Sequence, residues 1–347
     1  MKRDTLAPLR MRNQRLWGAR SGTVRDVVHW LAALQAQEFH LAKWSVAQRA
    51  RGATLADVDQ AFTDGVIVRT HLLRPTWHFV LGEDIRWLLQ VTAPRVHALS
   101  AYYYRQQELD KKLLARSNAV IAKALRDGAH LTRRELAAAL ARAGIRASKE
   151  RLAYIMIHAE LEAIVCSGAM QGKQHTYALL ETRVPQAKTL EPDAALAELT
   201  KRYFTSRGPA TLNDFLTWSS LTAKQGREGL ALVGDEMENE MVDGKTYWFS
   251  AASRAVRASS KPVVDLVQCY DEIIMSYSES RDASFTPGDR TFMHAVLLDG
   301  RLVGHWKRTA TRNSVRIETV LKRALTRVEA KAMKTAVSLT TAWMQGK

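Results

Sequence analysis

Apolar residues recur at helical spacing along much of the chain, and short strand-like segments follow them in a repeated order. Between residues 131 and 180, Thr132 and Glu135 of LTRRE have the spacing of a capping box, which opens a helix that Gly144 ends. Ser148 then caps a second helix, KERLAYIMIHAELEA, with apolar residues three and four positions apart. AIVCS and HTYALL predict two strands around the turn GAMQGK. Helix, turn, helix and hairpin in this order predict a winged helix.

Two other segments repeat this order. In the first, ALAELTKRYFTSRG predicts a helix, Thr211 and Asp214 cap the next one, and a third helix spans 223 to 233. The dipeptide Asp243-Gly244 then predicts a hairpin turn. In the N-terminal third, TVRDVVHWLAALQ and ATLADVDQAFTDG predict helices, and VIVRTHLLRPTWHFV predicts two strands. The pattern therefore predicts three winged-helix-like units.

The remaining segments connect and complete these units. Long helices are expected from 83 to 125, and the tail has the strand-like segments VVDLVQ and HAVLLDGRLVGHWKRT before a helix from 326 to 344. The expected fold class is α+β and predominantly helical, with tandem winged-helix modules and a C-terminal mixed α/β unit that carries β-hairpins. The expected domains are 1–128, 129–190, 191–253 and 254–347.

Charge indicates the kind of partner. The 347 residues include 51 Lys and Arg against 35 Asp and Glu, a formal net charge of +16. The basic residues are spread over many segments, which favours double-stranded DNA over a membrane surface. A basic protein without a polyanionic partner is the alternative. We find neither an apolar run long enough for a membrane span nor an export signal, so we expect a cytoplasmic, nucleoid-associated monomer without an obligate protein partner.

Metal, cofactor and nucleotide motifs do not match. Cys166 and Cys269 belong to no cysteine or histidine cluster and are expected in the core. The segment GAMQGKQ has one residue too few for a phosphate-binding loop. His158-Ala159-Glu160 matches the first half of a zinc deaminase signature, but no PCxxC follows. We therefore expect no metal and no cofactor.

Two glutamines at the end of the first N-terminal helix are unusual. If the helix continues through LQAQEFH, Gln35 lies within roughly 20° of apolar Val24 and points inward. A buried amide either bonds to neighbouring backbone or lines a polar cavity. Gln37 lies roughly 200° from Gln35 on a continuous helix, so both amides can face one pocket only if the helix ends near Ala36.

Seven segments in register resemble the AlkZ/YcaQ family of bacterial winged-helix DNA glycosylases, over nearly the whole chain. They are LQAQ, RTHLLRPTWHFV, LTRREL, CSGAMQGKQHTYALL, RYFTSRGPATLNDFLTW, YDEIIMSY and DGRLVGHWKR. The family's active site is a Gln-x-Gln or Gln-x-Asp motif, and Gln35 and Gln37 match the form of the AlkZ-like branch. The resemblance therefore implies that these two residues are catalytic. The chain departs from the family at Arg74-Pro75-Thr76, where Arg-Gly-Thr is more frequent, and at Trp77, where a smaller apolar residue is common.

A glutamine pair suffices if the departing base already carries charge. Alkylation at N7 or N3 of a purine makes the base cationic, so that it leaves without a general acid. Orienting a water near C1′ and stabilising the developing sugar cation are tasks for a fixed amide dipole. By hypothesis, Gln37 positions the water and Gln35 orients the water or the sugar. The expected enzyme is monofunctional, although the many lysines leave lyase chemistry open.

Other residues are candidates for the pocket. Glu38, Asp271 and Glu272 could supply a general base, or could cap helices and pair with arginines. Further pocket candidates are Arg74, which could instead face a phosphate, and His78, which could be an ordinary strand residue. Trp77 is also a pocket candidate, although Trp77, like Trp306, is favoured as a core residue over a base-stacking platform.

The residues expected to contact DNA are basic or polar. They are Arg69, Lys149, Arg151, Lys173, Gln174, Arg301, Lys307 and Arg308. The turns at 168–173 and 299–301 could enter the duplex, as bulky or crosslinked adducts would require, or could clamp its backbone. The rival function is a DNA-binding regulator without catalysis, which would generally dimerise on two half-sites.

Overall fold

The computed structural model describes residues 1–251, 261–283, 292–311 and 314–346. The predicted boundary between 253 and 254 lies outside these ranges. The α-helices are α1 (Arg3–Asn13), α2 (Val24–Leu31), α3 (Phe39–Ala47), α4 (Leu55–Thr63), α5 (Ile85–Gln106), α6 (Lys111–Ala124), α7 (Arg133–Arg142), α8 (Lys149–Leu161), α9 (Leu180–Arg183), α10 (Pro192–Arg207), α11 (Leu212–Ser219), α12 (Ala223–Val233), α13 (Glu272–Met275), α14 (Ser278–Ala283) and α15 (Arg327–Met344).

The strands are short and lie in small sheets, and the pairings among β2 to β12 are antiparallel. They are β1 (Ala33–Gln35), β2 (Ile67–His71), β3 (Trp77–Leu81), β4 (Leu131–Thr132), β5 (Val165–Ser167), β6 (Thr176–Leu179), β7 (Met237–Val242), β8 (Lys245–Ser250), β9 (Val264–Val267), β10 (His294–Leu298), β11 (Arg301–Ala310) and β12 (Val315–Leu321). The fold is therefore mixed α/β with helices predominating, which confirms the coarse fold class. None of the described helices is both long and apolar enough to cross a membrane.

The chain forms two compact units. The first comprises Met1–Asp59, Ala197–Trp218 and Thr222–Lys347, and the second comprises Gln60–Leu196 and Ser219–Leu221. Each unit combines segments that are not contiguous in the sequence, and the predicted domains, which are all contiguous, do not anticipate this.

The first unit contains the C-terminal sheet. Its strand order is β12-β11-β10-β9, and helix α15 packs on it around a buried cluster that includes Leu266, Val296 and Trp306. Trp306 is therefore a core residue, as expected. The turn between β10 and β11 is the predicted Asp299-Gly300 turn, where both residues have positive φ, the geometry that matches strand twist in a two-residue hairpin.

The second unit packs helices α5 to α8 against a small sheet of order β4-β6-β5. Its core includes Ile121, Leu140, Ile155 and Val165, which come from successive elements. The capping box predicted at Thr132 is present and begins α7. At α8 the prediction is wrong in part, because Ser148 precedes the helix but its side chain makes no capping hydrogen bond.

Both cysteines are buried and neither forms a disulfide. Burial raises the pKa of the Cys166 thiol to about 12, and burial also raises the pKa of the Cys269 thiol. Both thiols are therefore protonated at neutral pH. Both cysteines are buried, as the sequence predicted.

Candidate active site

Neither glutamine of the pair lies on a helix, because Gln35 ends a short strand and Gln37 lies on the bend that follows it. Helix α2 ends at Leu31, Ala32 has φ +59°, and strand β1 brings the chain to Gln35. The expectation that the helix continues to the glutamines is therefore wrong. Gln35 is 2% exposed, whereas Gln37 is exposed on the bend that follows the strand. Burial of Gln35 was predicted, but from a helical geometry that the structure does not have.

A buried ion pair replaces the hydrogen bonds that a longer helix would make. The Arg207 guanidinium donates from Nη1 to the carbonyl of Leu31 at 2.9 Å and from Nη2 to the carbonyl of Ala33 at 2.8 Å. The Gln35 backbone N-H donates to Glu272 Oε1 at 2.8 Å. Side chains distant in sequence thus satisfy the backbone groups of residues 31 to 35, which explains why helix periodicity fails here.

The Glu272 carboxylate is held by a set of donors. Its Oε2 accepts from Arg207 Nη2 at 2.7 Å, from Trp218 Nε1 at 2.8 Å and from Ser276 Oγ at 3.0 Å. The carboxylate and the guanidinium are both fully buried, and the guanidinium also lies 4.4 Å from the Trp218 ring centroid. A buried charge pair with this many hydrogen bonds is a structural clamp on the glutamine segment. This arrangement corresponds to the arginine-pairing alternative for Glu272.

Asp271 forms a second buried pair. Arg49 binds it through two contacts, from Nη2 at 2.6 Å and from Nη1 at 2.9 Å. Asp271 also accepts the N-H of Ile273 at 3.0 Å and so caps α13. Both sequence alternatives to a catalytic role, capping and arginine pairing, occur at this residue.

Glu38 differs from these two carboxylates because its side chain is 45% exposed. It precedes α3 and lies beside Gln37 in the chain. The Cys269 thiol is 3.7 Å from Glu38 Oε1, and His294 Nε2 is 4.0 Å from Oε2. His294 Nδ1 accepts the N-H of Cys269 at 3.1 Å, so in the neutral ring Nε2 carries the proton and faces Glu38. Burial lowers the pKa of His294, while the charge of Glu38 opposes that shift.

The three pocket candidates from the 74–78 segment belong to the second unit. Arg74 has φ +49° in the turn between β2 and β3, and His78 is buried with Nδ1 3.0 Å from the Thr76 carbonyl. Trp77 is partly buried, with the Arg69 guanidinium 4.2 Å from its ring centroid and the His71 ring at 3.9 Å. The tryptophan therefore packs against both a guanidinium and an imidazole.

The predicted DNA-contacting residues divide into two groups. Arg69 is 8% exposed, and Arg151 donates to the backbone carbonyls of Arg146 at 3.0 Å and Glu108 at 3.3 Å. In this structure Arg69 is buried and the Arg151 guanidinium bonds within the chain, so DNA contact by these two arginines stays a prediction. The others are exposed, namely Lys149, Lys173, Gln174, Arg301, Lys307 and Arg308. Of these, Arg301 pairs with Asp4 and Lys307 pairs with Glu318, each at 2.9 Å.

Sequence reasoning missed the residues that bind the two buried carboxylates, namely Arg207 and Trp218 at Glu272 and Arg49 at Asp271. Arg207 and Trp218 fall within RYFTSRGPATLNDFLTW, one of the segments that carry the family resemblance, but no local pattern indicates their partners. The separation of Arg207 from Glu272 by 65 residues leaves no spacing signal.

Comparison with known proteins identifies the class. A family model described as DNA glycosylase AlkZ-like matches residues 28–343. The chain therefore belongs to the AlkZ-like DNA glycosylase family and is an enzyme that acts on N-glycosyl bonds, which confirms the resemblance and the enzyme class predicted from the sequence.

One curated relative and one solved structure, both from Streptomyces sahachiroi, are similar over most of the chain. An interstrand DNA cross-link repair glycosylase is 24% identical over 318 residues, 86% of this chain and 85% of that protein. The solved structure of DNA glycosylase AlkZ matches with a TM-score of 0.81 and 21% identity, covering 100% of this chain and 97% of that chain. The structural match shows that the fold is shared.

Proposed function

We propose that the enzyme excises cationic alkylated purines, with adducts at N7 or N3, through Gln35 and Gln37. The observation that carries this proposal is the strand at Ala33–Gln35. Strand β1 ends at Gln35 and Gln37 follows on a bend, so the two side chains are not held roughly 200° apart as they would be on a continuous helix. A buried Gln35 and an exposed Gln37 then form the floor and the rim of one site.

The different burial of Gln35 and Gln37 gives the two amides different roles. Gln37, at the rim, orients the attacking water near C1′, and Gln35, fixed through its backbone by Glu272, orients the sugar or the water from within. An alkylated purine of this kind is cationic while it is attached to the sugar and neutral once it is released. The amides therefore need to supply only position and dipole. The product is an abasic site.

Asp271 and Glu272 are poor candidates for a general base. Each is fully buried and paired with an arginine, so taking up a proton would leave that arginine uncompensated. Glu38 is the exposed carboxylate next to Gln37, and we keep it as an assisting residue. Arg74, Trp77 and His78 remain proposed pocket residues.

The architecture supports tandem winged-helix modules. In 111–179 the order is helix, strand, two helices and two strands, with sheet order β4-β6-β5. In 197–250 a helix is followed by α11, α12 and the hairpin β7-β8, and Ala210 pairs with Trp248 where the first strand of a winged helix would lie. Residues 24–81 follow the same order of elements along the chain. We propose these modules, with the 254–347 unit, as the four functional domains.

DNA binding is proposed at the exposed basic residues. Lys173 and Gln174 lie at the tip of the β5-β6 hairpin, where Gln171 and Gln174 exchange backbone hydrogen bonds at 3.0 Å. Arg301 lies at the β10-β11 turn, with Lys307 and Arg308 farther along β11. One of these hairpins enters the duplex, and the enzyme acts as a cytoplasmic, nucleoid-associated monomer.

The relative's name adds a substrate class. That protein is named for interstrand cross-link repair. In a crosslink between two purine N7 atoms, each purine is cationic and joined to its sugar as in a simple N7 adduct. We therefore propose that this chain also unhooks such crosslinks.

Incubation with matched duplexes tests this function. The duplexes carry N7-methylguanine, a nitrogen-mustard crosslink or no lesion, and alkali then reveals abasic sites. We expect strand breaks at the two lesions, and binding to lesion-free DNA that ignores sequence and weakens steeply with salt. Sequence-specific binding by a dimer with no abasic product would indicate a regulator and contradict the proposal.

A further inference from the structure

Two helices of the second unit bring three potential metal ligands together. His97 lies on α5, His158 lies on α8, and Glu162 follows α8 one turn after His158. Glu162 Oε1 is 3.1 Å from His97 Nε2 and 3.8 Å from His158 Nε2. The three ligand atoms all lie within 4.8 Å of one another. The sequence search missed this group because His97 and His158 are 61 residues apart, and because the neighbouring Glu160, rather than Glu162, completed the deaminase-like pattern.

The separations suit a small divalent ion. Zinc bonds to nitrogen and oxygen at about 2.0–2.2 Å, so adjacent ligand atoms of a tetrahedron lie roughly 3.3 Å apart. The two separations from Glu162 fall on either side of this value. Small rotations of the side chains would bring all three atoms to bonding distance, and the 47% exposure of Glu162 leaves a solvent side for a fourth ligand.

The outer nitrogens of both imidazoles have polar partners. His97 Nδ1 is 3.1 Å from the Tyr104 hydroxyl, and His158 Nδ1 is 3.2 Å from the Asn118 amide nitrogen. A metal-binding histidine generally keeps its proton on the ring nitrogen that does not bind the metal, because that N-H donates to such a partner. The buried Asn118 Oδ1 has no hydrogen-bond partner among the described residues. Rotating the amide by 180° lets Oδ1 accept from His158 Nδ1-H, which directs the Nε2 lone pair toward Glu162.

Both rings are in the form that metals bind. Burial lowers the pKa of His158 to about 4, and burial also lowers the pKa of His97, with the charge of Glu162 opposing each shift. Neutral imidazoles facing a carboxylate bind a metal without having to lose a proton to solvent.

A second group of ligand types, Glu38, Cys269 and His294, provides an internal comparison. There His294 Nδ1 accepts a backbone N-H, so Nε2 keeps its proton and offers no lone pair to a metal. The backbone N-H fixes the His294 tautomer against metal binding, whereas a side-chain amide that can rotate faces His158 Nδ1.

We propose that His97, His158 and Glu162 bind a divalent transition-metal ion, with zinc as the best fit, and that the ion ties α5 to α8. The ligand set of two imidazoles and one carboxylate is one that zinc prefers. The role is structural, and it is independent of the glutamine chemistry proposed above.

Cobalt(II) titration of the tag-free, full-length protein, stripped of metal by chelator and desalted, tests the site. We expect one ion per chain, visible absorption bands without a thiolate charge-transfer band, competition by zinc and a higher Tm with zinc than without. His97→Gln and Glu162→Gln should each weaken binding at least about 100-fold, and Asn118→Ala about 10- to 100-fold.

Matched variants keep the proposal falsifiable. His294→Gln and Cys269→Ser should leave cobalt binding unchanged. Glu162 is the most exposed ligand, so Glu162→Gln should fold even if His97→Gln does not, as circular dichroism would show. Failure of the wild-type protein to bind cobalt or zinc, binding that Glu162→Gln leaves intact, or a thiolate band lost with Cys269→Ser would each overturn the assignment.

Discussion

Gln37→Ala is expected to lower single-turnover excision of N7-methylguanine by about 100- to 1000-fold, the usual cost of removing one positioned dipole from an active site. The exposed position of Gln37 means that alanine leaves no cavity, so the free energy of unfolding should stay unchanged. The affinity for lesion-containing DNA should also stay near the wild-type value, because phosphate contacts dominate that affinity.

Gln35 requires a different substitution because it is buried. Gln35→Met keeps most of the volume and removes the amide, and it should lower excision to a similar extent. Gln60→Ala is the matched control, since Gln60 is an exposed glutamine that bonds to Asp64 at 2.7 Å. Full activity in both active-site variants would show that the glutamines are not the catalytic pair.

Glu272→Gln is expected to lower the free energy of unfolding by about 3–5 kcal/mol, as seen when one partner of a buried ion pair is removed. The substitution leaves the Arg207 guanidinium fully buried beside a neutral amide. Excision should fall as well, since the carbonyls of Leu31 and Ala33 and the N-H of Gln35 depend on this pair. Chemical denaturation followed by circular dichroism measures the first effect.

A partly exposed pair, Lys307 with Glu318, provides the control, since their side chains are 71% and 36% exposed. Glu318→Gln should leave the denaturation midpoint where it is, because solvent already screens that carboxylate. Equal stability of Glu272→Gln and the wild-type protein would mean that the clamp does not hold the glutamine segment.

Local patterns predicted the elements well wherever local interactions determine them. The capping boxes at Thr132 and Thr211 use neighbouring side chains, and the turns at Asp243-Gly244 and Asp299-Gly300 need only their own backbone geometry. Each of these features was correct from the sequence. The end of α2 was not, because its hydrogen bonds go to Arg207 and Glu272, which lie far away along the chain.

The same reasoning explains what could be predicted of the site. The Gln-x-Gln spacing is visible in the sequence, and the family resemblance gave it a role that spacing alone did not. Whether Asp271 and Glu272 are bases or ion-pair partners depends on Arg49 and Arg207, which no local pattern connects to them. The sequence therefore indicated both alternatives, and the structure adds the arginine pairs that favour the second.

The most direct test of paired amides acting on an already charged base is a comparison of two alkylated guanines in the same duplex. N7-methylguanine is cationic and O6-methylguanine is neutral. Single-turnover kinetics at neutral pH should show release of the first and no measurable release of the second. Comparable release of O6-methylguanine would require a general acid and would contradict the account.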